Sequence, residues 1–187
     1  ISTSESRLLY SNTTEDFFQV PSLYYDDQLK RLWIGTGSAG LFYYDIIRKS
    51  LSDIPIRNFP KQPILAIRKD AKNTLLIGID GQGIWNISEK GDTILHIYKE
   101  DLNNPFSLRG DGVYDILCDG SKNWIATFTG KLSFFENNNS QITPVTYQIN
   151  NPNSLGNNYV NQIIEDHEGH IWFATNNGVS RWDAASN

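Results

Sequence analysis

Short apolar runs alternate with turn-forming residues along this chain, and residues 160–183 show the pattern most clearly. An apolar, β-favouring run at residues 160–165 ends in a turn, a second run at residues 171–175 ends in another turn, and a third follows at residues 179–182. The pattern predicts three β-strands. Because such a unit has apolar side chains on both faces and unpaired edges, it must stack against other units like itself.

Three further copies of this unit precede it. Aligning Trp172 with Trp124, Leu76 and Trp33 places the copies about 43 to 48 residues apart. Two positions beyond the aligned residue, every copy has a very small residue: Gly35, Gly78, Ala126 and Ala174. Five or six positions before it lies an aspartate: Asp27, Asp70, Asp119 and Asp166. A few residues after it, a glycine opens the third strand: Gly40, Gly83, Gly130 and Gly178.

The residue types at these aligned positions, or columns, are those expected in stacked β-sheets. An aspartate can cap the backbone N–H groups of a tight turn, and a small residue in mid-strand lets a neighbouring sheet approach closely. A period of about 40 to 50 residues with about four strands per copy is typical of a β-propeller, in which sheets stack radially and bury both faces. We therefore predict an all-β fold, a β-propeller made of about four four-stranded blades.

The predicted boundaries follow from the alignment. A single propeller segment, residues 1–187, is expected to contain four repeats, at approximately residues 20–56, 63–98, 113–147 and 160–187. Residues 1–19 are expected to form an outer strand, which either ends a preceding blade or completes the closing blade. Because the sequence contains no methionine, we expect it to start at an internal position of a longer product.

Charge and hydropathy exclude two classes of function. The net charge is -5 and the pI is about 5.1, and no stripe of Lys and Arg suits the phosphate backbone of a nucleic acid. No apolar run approaches the roughly 18 residues of a membrane span, so we expect no membrane contact by this segment. The single cysteine, Cys118, lacks a basic partner that the sequence designates, and we interpret it as an incidental residue of a strand.

No motif for catalysis or metal binding stands out. His167 and His170 have a metal-like spacing across a turn, but the sequence offers no third ligand, and zinc sites use three or four. Residues 80–83 form a glycine-rich turn without the alternating oxygen ligands of a calcium loop. Carboxylates that recur in every turn, such as Asp166, indicate a structural role. We therefore predict a protein that is not an enzyme and uses no metal or cofactor.

Residues 160–183 follow the order Val-x-x-Ile-x-Glu-Asp-x-x-Gly-x-Ile-Trp-Phe-Ala-Thr-x-x-Gly-Val-x-x-Trp-Asp, and residues 32–45 repeat part of it. Linkers of the form Asn-Pro-x-Ser-Leu lie at residues 104–108 and 151–155. Together these elements resemble the two-component regulator propeller repeat. The likeness covers nearly the whole chain from Val20 onward.

The resemblance implies the periplasmic sensor region of a hybrid two-component histidine kinase of Bacteroides-type bacteria. In that family such repeats build seven-bladed propellers, so we expect this chain to be a fragment of a larger propeller. The implied role is to detect an oligosaccharide or related glycan and to regulate a histidine kinase. The expected partners are that glycan, the remainder of the receptor chain and a second copy in a homodimer. Whether the four blades close or form an open arc stays undecided.

Candidate ligand-binding residues lie where propellers usually meet their ligands, at the starts of the inner strands and at the turns between second and third strands. Seven residues take these positions: Tyr114, Asp115, Phe128, Tyr159, Asn161, Asn176 and Asn177. Aromatic faces that stack on sugar rings, with Asn and Asp side chains that hydrogen-bond hydroxyl groups, would suit a glycan. The alternative is that these are ordinary turn and channel residues.

Two hypotheses of function follow. The first is a non-enzymatic, extracytoplasmic module that senses a glycan and biases a kinase elsewhere in the receptor. The alternative is a protein-interaction or dimerisation scaffold with no small-molecule ligand. The two differ in an observable, because a ligand stabilises a sensor, whereas a scaffold responds to protein concentration.

Overall fold

The computed structural model describes residues 19–128 and 130–183, whose regular secondary structure consists of β-strands alone. The strands form four antiparallel sheets, in which consecutive strands are hydrogen-bonded neighbours. The prediction of an all-β fold with four sheets is confirmed. The described residues contain no helix long and apolar enough to cross a membrane. The outer strand predicted at residues 1–19 lies outside the described ranges except for residue 19.

Each sheet is one blade, and its strands follow one another in chain order. Blade one contains β1 to β4: Ser22–Asp26, Arg31–Gly35, Leu41–Asp45 and Ser50–Asp53. Blade two contains β5 to β8: Ile64–Lys69, Leu75–Ile79, Gly83–Ile87 and Ile94–Tyr98. Blade three contains β9 to β12: Val113–Cys118, Lys122–Thr127, Lys131–Glu136 and Asn139–Val145. Blade four has three strands, β13 to β15: Val160–Glu165, Ile171–Thr175 and Gly178–Trp182.

The blades stack through their first strands. Strand β5 packs between β1 and β9, and β9 packs between β5 and β13, so these four are the inner strands. Within the described residues, β13 has no comparable packing against β1. This part of the chain therefore forms an open arc of four blades.

A separate hydrophobic core fills each of the three interfaces between blades. Trp33 fills the first interface, Leu76 takes the same position at the second, and Trp124 at the third, all without solvent exposure. Each faces apolar residues of the following blade, such as Ile67 and Ile116. One face of blades one to three is thus buried against the next blade in the chain.

Small residues on the second strand let the blades approach closely. A Cβ atom added at Gly35 would lie 2.6 Å from Cγ2 of Ile64 on blade two. One added at Gly78 would lie 2.8 Å from Cγ1 of Val113 on blade three. Both distances are too short for carbon atoms, so a larger residue would push the next blade away. The interpretation of the small-residue column is confirmed at these two interfaces.

An aspartate caps the turn between the first and second strands. In blade three, Asp119 Oδ1 accepts hydrogen bonds from the backbone N–H groups of Ser121 at 2.8 Å and Lys122 at 2.7 Å. Its Oδ2 accepts one from Trp124 Nε1 at 2.8 Å. Burial would raise the pKa of Asp119, but these hydrogen bonds outweigh burial and lower the pKa below its ordinary value. The carboxylate therefore ties the turn to the tryptophan that fills the interface.

In blade one the capping residue is Asp26, so the assignment of Asp27 to this column is wrong. Asp26 is 1% exposed, and its Oδ1 accepts hydrogen bonds from the backbone N–H groups of Gln28 and of the residue after it, at 3.0 and 3.1 Å. Its Oδ2 accepts one from Nζ of Lys69, on blade two, at 3.1 Å. Asp27, by contrast, is exposed. Of two adjacent carboxylates, the buried one holds the turn.

Replacement of Asp26 by alanine should destabilise the chain by about 2 to 4 kcal/mol, because two backbone N–H groups of the turn lose their acceptor and the buried Lys69 ammonium loses an ion-pair partner. Asp27→Ala is the matched control and should leave the free energy of unfolding unchanged. Urea unfolding followed by tryptophan fluorescence measures both. Equal effects of the two substitutions would contradict the assignment of the cap to Asp26.

Acidification should lower the free energy of unfolding, because Asp119 becomes protonated. Because the pKa of folded Asp119 lies below the ordinary value of 3.8, its contribution to stability is complete above about pH 4 and is lost as the pH falls through the folded-state pKa. Urea unfolding at pH 5 and pH 3 should therefore show a smaller loss of stability in Asp119→Asn than in the wild type. An identical loss of stability in both chains would show that Asp119 does not cause the pH dependence.

Candidate functional site

Tyr114 and Phe128 form an exposed aromatic pair at one end of blade three. Tyr114 lies near the start of β9, and Phe128 follows the end of β10. Their ring centroids are 5.0 Å apart with an angle of 30° between the ring planes. Tyr114 is 38% exposed and Phe128 is 61% exposed. Two rings held in contact at the surface present an apolar platform on which a sugar ring can stack.

Asparagine side chains form a second group at the same end of blade four. Asn161 Nδ2 donates a hydrogen bond to Asn176 Oδ1 at 2.9 Å. The backbone N–H of Asn176 donates to the carbonyl of Tyr159 at 3.1 Å. Asn177 Nδ2 lies 3.4 Å from the carbonyl oxygen of Gly156 in the preceding linker. The structure thus brings Tyr159, Asn161 and Asn176 together, while Asn177 contacts the linker.

Tyr159 connects the two groups. Its half-exposed ring packs over Gly130 of blade three, where an added Cβ atom would meet the ring. Gly130 follows Phe128 by two positions, so the aromatic pair and the asparagine group flank the junction between blades three and four. A glycine is required at Gly130 because a side chain would collide with Tyr159, and its φ of 73° is strained for other residues.

Asp115 joins the inner strands of three blades. Its side chain is 13% exposed, and Oδ1 lies 3.2 Å from Nη2 of Arg68 on β5. Its Oδ2 accepts a hydrogen bond from the backbone N–H of Ile163 on β13 at 2.9 Å. Burial raises the pKa of Asp115, although the Ile163 N–H group and the Arg68 guanidinium oppose the rise. Its carboxylate therefore holds neighbouring blades in register beside the aromatic pair.

Sequence reasoning missed Arg68, the partner of Asp115. The strand register gives a signal that could have found it. Arg68 occupies a position that is apolar or aromatic in the other inner strands: Tyr24, Leu117 and Ile164. A charged residue in that column indicates a specific partner on a neighbouring blade.

Cys118 lies at the end of strand β9, and His170 lies in the turn that Asp166 caps. Burial raises the pKa of the Cys118 thiol to about 12, so the thiol stays protonated at neutral pH. His170 Nδ1 lies 3.2 Å from Oδ2 of Asp166 within the capped turn. Across residues 19–128 and 130–183, no group of three His, Cys, Asp or Glu side chains is arranged to hold a metal ion.

Comparison with known proteins identifies the repeat. Residues 154–177 match the family model described as two component regulator propeller. This stretch runs from the linker before blade four through β13 and β14. The resemblance inferred from the residue pattern is therefore confirmed for this repeat. No curated protein matches the chain.

Solved structures of extracellular receptor domains share the fold. The extracellular domain of the putative hybrid two component system BT3049 from B. thetaiotaomicron matches with a TM-score of 0.71 and 20% identity, over 94% of this chain and 24% of that one. The extracellular domain of the putative one component system BT4673 from the same organism gives a TM-score of 0.54 and 19% identity, over 94% and 29%. This chain thus spans about a quarter of the length of those structures.

A designed protein also shares the architecture. The computationally designed Ika4 protein matches with a TM-score of 0.65 and 12% identity, over 95% of this chain and 98% of that one. Identities at this level show the fold alone. With the family match, they define the chain as a β-propeller segment that carries the two-component regulator repeat.

Proposed function

We propose that this chain is part of the extracytoplasmic, ligand-sensing propeller of a bacterial two-component receptor. The two-component regulator repeat at residues 154–177 supports this role. Two solved structures with the same fold are extracellular domains of putative signalling systems, which supports a periplasmic location. On this proposal the segment binds a ligand without transforming it, and the histidine kinase lies in the remainder of a longer receptor chain.

An oligosaccharide or related glycan is the ligand that the site favours. The observation that carries this proposal is the exposed, mutually packed pair of Tyr114 and Phe128. A sugar ring has an apolar face and a rim of hydroxyl groups, so it needs both an aromatic surface and hydrogen-bonding side chains. Asn161 and Asn176 supply amide groups at the same end of the blades. No cofactor enters this mode of binding.

Signalling requires that the glycan bind one conformation of the receptor more tightly than another. The junction between blades three and four suits this requirement. Tyr159 of blade four packs over Gly130 of blade three, next to the aromatic pair. A glycan that touches Phe128 and the asparagine group together would bias the position of one blade relative to the other, and the rest of the receptor would carry that bias to the kinase.

Glycan binding is tested by thermal-shift assay and calorimetry with oligosaccharides of glucose, mannose, galactose, xylose and arabinose. At least one should raise the melting temperature, because a ligand that binds only the folded chain stabilises it by RT ln(1 + [L]/Kd). Phe128→Ala should weaken that affinity roughly twofold to twelvefold, since an aromatic contact is worth about 0.5 to 1.5 kcal/mol.

The matched control is Phe106→Ala, because Phe106 is a half-exposed aromatic residue of a linker. This substitution should leave the affinity for the same oligosaccharide unchanged. A chain that no oligosaccharide stabilises would overturn the proposed ligand class. Equal losses in Phe128→Ala and Phe106→Ala would overturn the proposed site.

A scaffold for self-association is a second candidate function, and the free face of blade four favours it. Val179 is 69% exposed and Ile164 is half-exposed beside Trp172, whereas the following blade covers the same face of blades one to three. Leu23 is also half-exposed, and it lies on the face of blade one that points away from blade two. A second copy of the chain could therefore place its blade one against blade four of the first copy.

Self-association is tested by light scattering over a range of protein concentrations. The scaffold hypothesis predicts a dimer whose fraction grows with concentration, and Val179→Glu should return it to a monomer because the substitution places a charge in the apolar interface. Leu102→Glu is the control, since Leu102 is 91% exposed in a linker. A wild-type chain that stays monomeric at every concentration would rule out this function.

A further inference from the structure

Asparagine directly precedes glycine at one place in this chain, Asn177 and Gly178. The asparagine lies in the turn between β14 and β15, which has two residues between the strands, Asn176 and Asn177. The residue before the corresponding glycine differs in the other blades: Ala39, Gln82 and Thr129. Blade four alone therefore combines the short amide side chain of asparagine with a following glycine in this turn.

The surroundings of the turn glycine also differ between the blades. A Cβ atom added at the corresponding glycine of blades one to three would contact a later segment of the chain, at Pro60, Tyr98 or Tyr159. At Gly178, no heavy atom of the described residues would lie within 4 Å of the added Cβ atom. The strand that follows, β15, is the outermost strand of its sheet among the described residues. The turn of blade four is therefore packed less closely than its counterparts.

The contacts that restrain Asn177 are long. Its backbone N–H donates to Thr175 Oγ1 at 3.2 Å, and its Nδ2 lies 3.4 Å from the carbonyl oxygen of Gly156. The second distance exceeds the usual range of about 2.7 to 3.2 Å for such a hydrogen bond. Gly178 pairs with Thr175 at the end of the β14–β15 ladder, and ladder ends open locally at a small cost in free energy. Since Asn177 is also exposed, water reaches its side chain and the peptide that follows it.

This arrangement favours a reaction within the chain. The side chain of an asparagine is short enough for the backbone nitrogen of the next residue to reach its amide carbon, Cγ, and a reaction between tethered groups gains from their proximity. Glycine favours the attack because it has no Cβ atom to obstruct it and its backbone adopts a wide range of conformations. A glutamine would have to close a larger ring, which forms more slowly.

We propose that Asn177 is a site of spontaneous deamidation, in which the backbone nitrogen of Gly178 displaces the side-chain nitrogen of Asn177. The Gly178 nitrogen loses its proton to hydroxide and bonds to Cγ of Asn177. The bond between Cγ and Nδ2 then breaks, and ammonia leaves after its nitrogen takes a proton from water, which restores the hydroxide. Water adds to either carbonyl carbon of the resulting succinimide ring and breaks one of its C–N bonds. One opening gives an aspartate at position 177, and the other gives an isoaspartate.

The modification changes the end of blade four that carries Tyr159 and Asn161. It replaces a neutral amide by a carboxylate next to Asn176, whose backbone N–H donates to the carbonyl of Tyr159. Isoaspartate also adds a methylene group to the backbone of a turn that has two residues. The inference concerns atoms of this chain alone, so it does not depend on the proposed function.

Incubation of the folded wild-type chain at pH 7 and pH 9, followed by peptide mapping with mass spectrometry, tests the proposal. The peptide that contains Asn177 should gain the mass difference between an amide and an acid, and faster at pH 9 because the attacking nitrogen must lose a proton. Both aspartate and isoaspartate should appear at position 177, since the succinimide opens on either side. Asn177→Gln should slow the conversion at this position by about tenfold or more, because the larger ring brings the reacting atoms together less readily.

Asn176 in the same turn and Asn138 in the turn between β11 and β12 are internal controls, because both are exposed and neither precedes a glycine. They should convert more slowly than Asn177 by about tenfold or more. The chain unfolded in urea supplies the reference rate for Asn177 without the fold.

The inference is overturned if the folded chain keeps Asn177 intact over the time in which the unfolded chain converts it, because the fold would then protect the turn. Conversion of Asn177 at the same rate as the two controls would also overturn it. So would aspartate without isoaspartate, since direct hydrolysis of the side-chain amide by water gives aspartate alone.

Discussion

The contact between the face of one blade and the face of the next is the constraint on which this structure depends. A sheet that is apolar on both sides cannot stay folded alone, so every blade needs a neighbour. Trp33 and Trp124 are fully buried only because blades two and four cover them. Gly35 and Gly78 keep the sheets close enough for that contact. The same constraint explains why the uncovered face of blade four leaves Val179 exposed.

Residues that recur in the blades and residues that occur in only one blade have different roles in such a fold. Residues that recur, such as the turn aspartates and the small residues of the second strands, build the interfaces and so belong to the scaffold. The places where the repeat breaks are where a surface gains chemistry of its own. Asp115 pairs with Arg68, which takes a position that is apolar or aromatic in the other inner strands. Leu76 and Asn86 take the place of the large cross-strand pair that the other blades have.

The sequence predicted the architecture well because the period, the glycines and the alternation of apolar residues are local signals. It did not predict features that depend on burial or on a partner far along the chain. Asp26 and Asp27 are both plausible turn caps by type, and the burial of Asp26 beside Lys69 of blade two distinguishes them only in the folded chain. Arg68 was missed because its partner Asp115 lies on the next blade, 47 positions further along the chain. Sequence alone does not show which residues of neighbouring blades come into contact.

The most direct test of the account is to map sugar contacts on the wild-type chain by NMR, following backbone and asparagine side-chain amide signals as the oligosaccharides are added. The account predicts shifted signals that include the side-chain amides of Asn161 and Asn176. Signals that do not move at saturating sugar, or that move only far from the junction of blades three and four, would contradict it.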